Sequence, residues 1–200
     1  MEIPLIVDLS SIDSATQSMT GGKASNLTKL TKAGFNVPSG FVVTTKAYSK
    51  FITTNRLDSL TDDHLSGINH EDTGELSKAT EKMRQIITGA TLPEELVVAI
   101  TSAYKQLGMG SVAIRSSATA EDLPDASFAG QYDTSLNIEG IENVLEHVKN
   151  CFGSMWTTRA VAYRVENDIP HDLVQIAVVV QSMVDARCAG VLFTRNPISH

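Results

Sequence analysis

Residues 111–138 read SVAIRSSATAEDLPDASFAGQYDTSLNI, and the parsing of this stretch decides the fold. It opens on the apolar run Val112-Ala113-Ile114, which reads as a buried strand. Arg115 stands at the end of that run, with Ser116, Ser117 and Thr119 after it. Glu121, Asp122, Pro124 and Asp125 mark an acidic loop. Ser127-Phe128-Ala129-Gly130-Gln131 follow, and a second strand-like run extends from Tyr132 to Ile138. Two short strands joined by small, hydroxylated residues and a glycine make a cover for an anion. A glycine has no Cβ, so backbone N–H groups can approach phosphate oxygens closely. An arginine at a strand end adds a planar fork of donors that matches phosphate. The same residues also suit an ordinary surface loop with a salt-bridged arginine, and the pattern by itself leaves both readings open.

Further toward the N-terminus, Gly21-Gly22-Lys23 precedes Leu27, Leu30 and Ala33, which recur at helical spacing, with Gly34 as a stop. Lys23 therefore stands near a helix start, where backbone N–H groups and the helix dipole favour an anion. This is not a P-loop, because Gln17 and Ala24 occupy the positions where that motif needs a glycine and a hydroxyl. A flexible turn with a solvated lysine is the simpler account of a bare Gly-Gly-Lys.

The remaining elements follow from periodicity. Pro4–Asp8 and Phe41–Thr45 read as strands, and Thr44 or Thr45 is placed to cap a helix running through Tyr48 and Phe51. Ser10–Thr20 reads as a loop. Helices are expected over 75–89, from Pro93 to about Leu107, over 141–152 and over 157–166, with Met155 and Trp156 between the last two as core residues. Val174–Val180, apolar but for Gln175, reads as a buried strand, with Gln181 and Met183 where it leaves the core. Gly190–Phe193 reads as a last strand. The segment 55–73 carries Asp58, Asp62, Asp63, Glu71 and Asp72, but at a spacing that fits no EF-hand loop, and it reads as solvated surface.

Composition narrows the function classes. A chain of 200 residues can bury a sizeable core in one or two domains. With 16 basic against 23 acidic residues, the formal net charge of -7 argues against a nucleic-acid partner, which needs a basic face. A nucleotide needs only a few well-placed cations. Cys151 and Cys188 lack metal-type spacing and read as free thiols of a cytoplasmic protein. No apolar run approaches the ~20 residues of a membrane span, and no signal peptide is visible, so no membrane partner is expected.

AIRSSATAEDLPDASFAGQ (113–131), GGKASNLTKLTKAGFNVPSGFVVTTKAY (21–48), VVVQSMV (178–184) and AGVLFTRNP (189–197) together resemble the ATP-binding domain of the phosphoenolpyruvate synthase and pyruvate phosphate dikinase family, which rifamycin phosphotransferases share. The resemblance implies an α/β (α+β) chain of ATP-grasp type, with mixed sheets flanked by helices and two subdomains closing on ATP. The first would span 1–109. The second, 110–184, would carry the phosphate-covering loop and the adenine hinge, and 185–200 would return as a strand. By the same resemblance Lys23 and Arg115 contact the phosphates and stabilise the transferring group. Ser127, Ala129, Gly130 and Thr134 cover the phosphates, and Gln181, Met183 and Val184 hold adenine. The acidic loop is expected to point away from the triphosphate. The implied reaction passes phosphate from ATP to an enzyme histidine and on to pyruvate, giving phosphoenolpyruvate. The alternatives are a rifamycin phosphotransferase-like enzyme and a non-catalytic nucleotide-binding module. Ligands for Mg²⁺, the histidine-bearing domain and the pyruvate-binding domain are all expected beyond Asn196-Pro197. The chain is therefore expected to be a portion of a longer enzyme, without its metal-binding third and with no metal ligands of its own, and to catalyse little by itself.

Overall fold

Strands that are apolar at both parities need cover on both faces. Two such runs, β2 (Gly40–Val43) and β5 (Ile176–Ser182), pair antiparallel at the centre of the sheet. The computed structural model describes residues 4–12, 17–58, 68, 72–119 and 134–190. Within these, β1 (Ile6–Asp8), β3 (Val112–Ala118) and β4 (Thr134–Ile138) complete a five-stranded sheet of order β1-β2-β5-β3-β4, antiparallel at every pairing. The more exposed strands β1 and β4 take the edges, where one side of the ladder needs no partner.

The helices are α1 (Gly21–Lys32), α2 (Thr45–Thr54), α3 (Thr73–Gly89), α4 (Glu94–Gln106), α5 (Ile141–Ser154) and α6 (Thr158–Glu166). Alternation divides them between the two faces of the sheet. Phe41, Val43, Ile114, Val178 and Val180 face the large core, with Phe51 of α2, Met83 of α3, Ile100 of α4, Phe152 of α5 and Val161 of α6. Full burial of each large apolar side chain contributes about 1.5–3 kcal/mol. The alternate residues Val42, Ala177 and Val179 meet Ala24 of α1 and Leu9 on the opposite face. Among the described residues α1 is the one α-helix that contributes to the cluster on this second face.

Trp156 and Met155 are core residues, as expected of large apolar side chains. Cys151 is buried and Cys188 exposed, and no disulfide joins them. Gly34 ends α1 at φ +87°, with Phe35 N–H donating back to Leu30 O at 3.1 Å.

Three local readings need correction. Arg115 lies in the middle of β3 rather than at its end, because Ser116, Ser117 and Ala118 continue the ladder against Val178, Ala177 and Ile176. Small hydroxylated residues fit between covered faces, so the strand outlasts its apolar run. The Thr44 hydroxyl does not cap α2; it lies 2.9 Å from the Pro4 carbonyl, to which it donates, tying β1 to the start of the helix. The stretch expected as loop contains two 3-10 turns, Leu9–Ser11 and Gln17–Met19, the first capped by Asp8. The acidic loop 121–125, most of 59–71 and the strand expected at 190–193, Gly190 apart, lie outside the described residues.

Strands from both sides of residue 110 share this sheet, since β2 pairs directly with β5. One side chain secures the entry of the second half. Tyr104 is fully buried at the end of α4, and its hydroxyl lies 2.8 Å from Gly110 O and 3.0 Å from Met109 O. It also accepts the Gly140 N–H at 3.2 Å, joining the turn before β3 to the one after β4. Tyr104→Phe removes these part-buried hydrogen bonds and is expected to cost about 0.5–1.5 kcal/mol. Thermal denaturation checks this as a drop of several degrees in Tm.

Candidate nucleotide site

Directly paired residues on neighbouring strands point to the same face. Val42 pairs with Val179, Val179 with Arg115, and Arg115 with Thr134. These four form a row across the face that carries α1. The adjacent row runs from Gly40 through Gln181 to Ala113. Arg115, Thr134 and Gln181, expected from three separate segments, therefore share one face. Arg115 is half-buried between Val179 and Thr134, and Thr134 is exposed on the edge strand.

Helix α1 brings Lys23 to the same face. Gly21 has φ +71°, a region that disfavours a side chain. A Cβ on Gly21 would lie 2.2 Å from Ser117 O and 2.6 Å from Ser117 Oγ, so only glycine permits this approach of helix to strand. Lys23 follows Gly21 by two residues in the first turn of α1, and Arg115 precedes Ser117 by two on the same strand face. Lys23 in the first turn of α1 and Arg115 in the row beside Ser117 thus both belong to elements that meet on this face. The partial positive charge at the N-terminal end of α1 adds to that of Lys23.

The end of β5 is more constrained than its sequence implies. The Gln181 side chain is buried and donates from Nε2 to Pro38 O at 3.0 Å. The Met183 N–H donates to Ser111 O at 2.9 Å, and the Ser182 N–H to Ser39 O at 2.9 Å. These donors hold the strand end between its neighbours. Val184 is 59% exposed and presents an apolar side chain just past the strand. Ser127, Ala129 and Gly130, expected to cover phosphate, lie outside the described residues.

A cavity of about 570 Å³ opens elsewhere, lined by Tyr48, Met83, Trp156, His171 and Val174 among others. Its apolar walls belong to the large core, so it sits on the other side of the sheet from Lys23 and Arg115. Beneath it the fully buried Arg164 donates from Nε to His171 Nδ1 at 2.9 Å and lies 5.0 Å from the centre of the Trp156 ring. Burial pushes the Tyr48 phenol above its usual value, with the Arg164 charge opposing. This cluster carries none of the residues expected to contact ATP.

Sequence reasoning missed Ser117 as a structural partner of α1. Its only signal was its place two residues beyond Arg115, and its contact with Ala24 spans 93 positions.

A lysine at a helix start, an arginine in mid-sheet and an apolar strand end, on elements that meet on one face, are features that suit a nucleotide-binding α/β domain. Residues 17–200 match the family model described as pyruvate phosphate dikinase, AMP/ATP-binding domain, and the chain belongs to that family. It is 48% identical over 185 residues to a probable phosphoenolpyruvate synthase of Methanothermobacter thermautotrophicus, covering 90% of this chain and 27% of the relative. It is 42% identical over 197 residues to the rifampicin phosphotransferase of Bacillus subtilis, covering 98% of this chain and 23% of that protein. A phosphoenolpyruvate synthase of Aeropyrum pernix is 42% identical over 210 residues, with 100% of this chain and 25% of the relative covered. The chain thus spans about a quarter of the length of these curated relatives. Among the described residues no single helix is long and apolar enough to cross a membrane.

Proposed function

We propose that this chain is the ATP-binding part of a cytoplasmic phosphotransferase that moves phosphate from ATP to a histidine in a further domain and from there to pyruvate, giving phosphoenolpyruvate. The observation that carries the reading is the shared face: Lys23 at the start of α1 and Arg115 with Thr134 in one cross-strand row. In this reading Lys23 and Arg115 donate hydrogen bonds to phosphate oxygens and offset charge as the phosphoryl group leaves, the main contribution a protein makes to this chemistry. Thr134, with Ser127, Ala129 and Gly130, covers the phosphates. Met183 and Val184 flank the adenine ring, and Gln181 holds the strand end that presents them.

When bound, Mg²⁺ would supply positive charge that offsets the charge of the phosphates. Among the described residues no group of three His, Cys, Asp or Glu side chains could hold a metal ion. The histidine-bearing and pyruvate-binding domains are partners in the same proposal. So is a division of the chain into a first subdomain over 1–109, a second over 110–184 and a returning strand over 185–200.

A rifamycin as acceptor is the second reading, favoured by the 42% identity to the rifampicin phosphotransferase of Bacillus subtilis over 98% of this chain. The test incubates the full-length protein with ATP and Mg²⁺ and offers pyruvate or rifampicin. Formation of phosphoenolpyruvate, with an acid-labile phosphoryl-enzyme, is the expected result. Phosphorylated rifampicin without phosphoenolpyruvate would replace the first reading with the second, and neither product would overturn both.

A further inference from the structure

We infer that Ser117 is a positioning residue: by capping α1 from the neighbouring strand, it sets Lys23 against Arg115. The inference rests on the nucleotide reading above and adds to it a residue that makes no contact with ATP in that reading.

Helix α1 begins without the usual capping device. Its first residue, Gly21, has φ +71°, so right-handed geometry starts at Gly22. Ala24 is then the third residue of the right-handed turn, whose N–H a Ser, Thr, Asp or Asn at the helix start ordinarily accepts. Gly21 has no side chain to do this, and Thr20 makes no side-chain capping bond. Ser117 Oγ takes the place of that side chain, accepting the Ala24 N–H at 3.4 Å from a fully buried position on β3.

The bond is long, and packing holds it. The Ser117 carbonyl and hydroxyl both press on Gly21, closely enough that a Cβ there would lie 2.2 Å and 2.6 Å from them. Helix and strand are joined at one point by a backbone contact and a hydroxyl together. Lys23 lies two residues beyond that point on the helix, and Arg115 two residues before it on the strand. Such short spacers leave little freedom, so the Ser117 contact fixes where the two cations stand relative to each other. A phosphate chain bound by both needs that separation set before it arrives.

The experiment measures ATP and adenosine affinities by calorimetry for the full-length protein and for Ser117→Ala, Lys23→Ala and the double variant. Ser117→Ala is expected to weaken ATP about tenfold, the scale of one lost hydrogen bond, and to leave adenosine unchanged. The double variant is expected to bind ATP no more weakly than Lys23→Ala alone, because Ser117 acts through Lys23. A purely structural role would move Tm and shift both ligands alike. Equal losses for ATP and adenosine, no loss for either, or losses that add to those of Lys23→Ala would each overturn the inference while leaving the nucleotide site in place. Failure of the unmodified protein to bind ATP would overturn the nucleotide reading and this inference with it. Should Ser117→Ala not fold, hydrogen exchange in the unmodified protein decides: slow exchange of the Ala24 amide supports the cap, and exchange at the rate of an open helix end overturns it.

Discussion

Arg115→Ala is expected to weaken ATP binding by roughly 10- to 100-fold, the range for losing hydrogen bonds to a charged group. The fold should survive this change. Arg115 is half-buried at the middle of β3, and its backbone pairing with Val179 and Thr134 does not depend on the side chain. The large core lies on the opposite face and includes Ile114 but not Arg115. Adenosine, which has no phosphates, should bind the variant as it binds the unmodified protein. Arg115→Lys is expected to restore only part of the loss, since an ammonium keeps the charge but not the bidentate fork. Calorimetric titration with both ligands checks this. Unchanged ATP affinity in a folded Arg115→Ala protein would remove Arg115 from the site.

The largest loss of stability is expected from Phe152→Ala, at about 3–5 kcal/mol. Phe152 is fully buried on α5, where its ring meets Tyr48 edge-on at 5.2 Å and Phe51 at 5.4 Å between ring centres. Each such aromatic pair adds about 0.5–1.5 kcal/mol beyond the area it buries. The truncation therefore removes both ring contacts and leaves a void between α2 and α5. Denaturant titration should show a lower midpoint, and thermal denaturation a Tm lower by roughly 10 °C. Because Phe152 belongs to the face away from Lys23, ATP affinity per folded molecule should change little. A loss under about 1 kcal/mol would mean that the helices close over the vacancy.

Much of this architecture was legible in the sequence. The apolar spacing of Leu76, Met83 and Ile87 is the core-facing stripe of α3, and that of Val144, Val148 and Phe152 is the stripe of α5. Local periodicity is enough for such elements because one face alone is buried. The unbroken apolar run of β5 announced a central strand for the opposite reason. What stayed hidden was non-local. That β2 pairs with β5 is a relation between residues about 140 positions apart, as in the Gln181–Pro38 hydrogen bond, and no local pattern encodes it. The middle of β3 was misread as its end because Ser116 and Ser117 look like loop residues, although the sheet buries both. Their burial follows from the helices on either side, not from their own polarity.

The candidate site divides along the same line. Lys23, Arg115 and Thr134 were each marked by the motif around them, and the sheet register is what joins Arg115 to Thr134. The contact that joins Lys23 to this row runs through Gly21 and Ser117, and only the three-dimensional packing reveals it. At the end of β5, the sequence pointed to a base-binding strand end but not to the hydrogen bonds of Gln181 and Met183 with Pro38 and Ser111.

In the proposed function the Lys23–Arg115 face binds adenine nucleotide through its phosphates. The most direct measurement is a thermal-shift titration of the protein with ATP, ADP and adenosine, with Mg²⁺ present and absent. A ligand that binds only the folded state raises its stability by RT ln(1 + [L]/Kd), about 2.7 kcal/mol at a hundredfold excess over Kd. The expected result is a rise in Tm that is largest for ATP, smaller for ADP and least for adenosine, and that is reduced in Lys23→Ala and Arg115→Ala. A folded protein whose Tm is unmoved by all three ligands, or moved equally by ATP and adenosine, would contradict it.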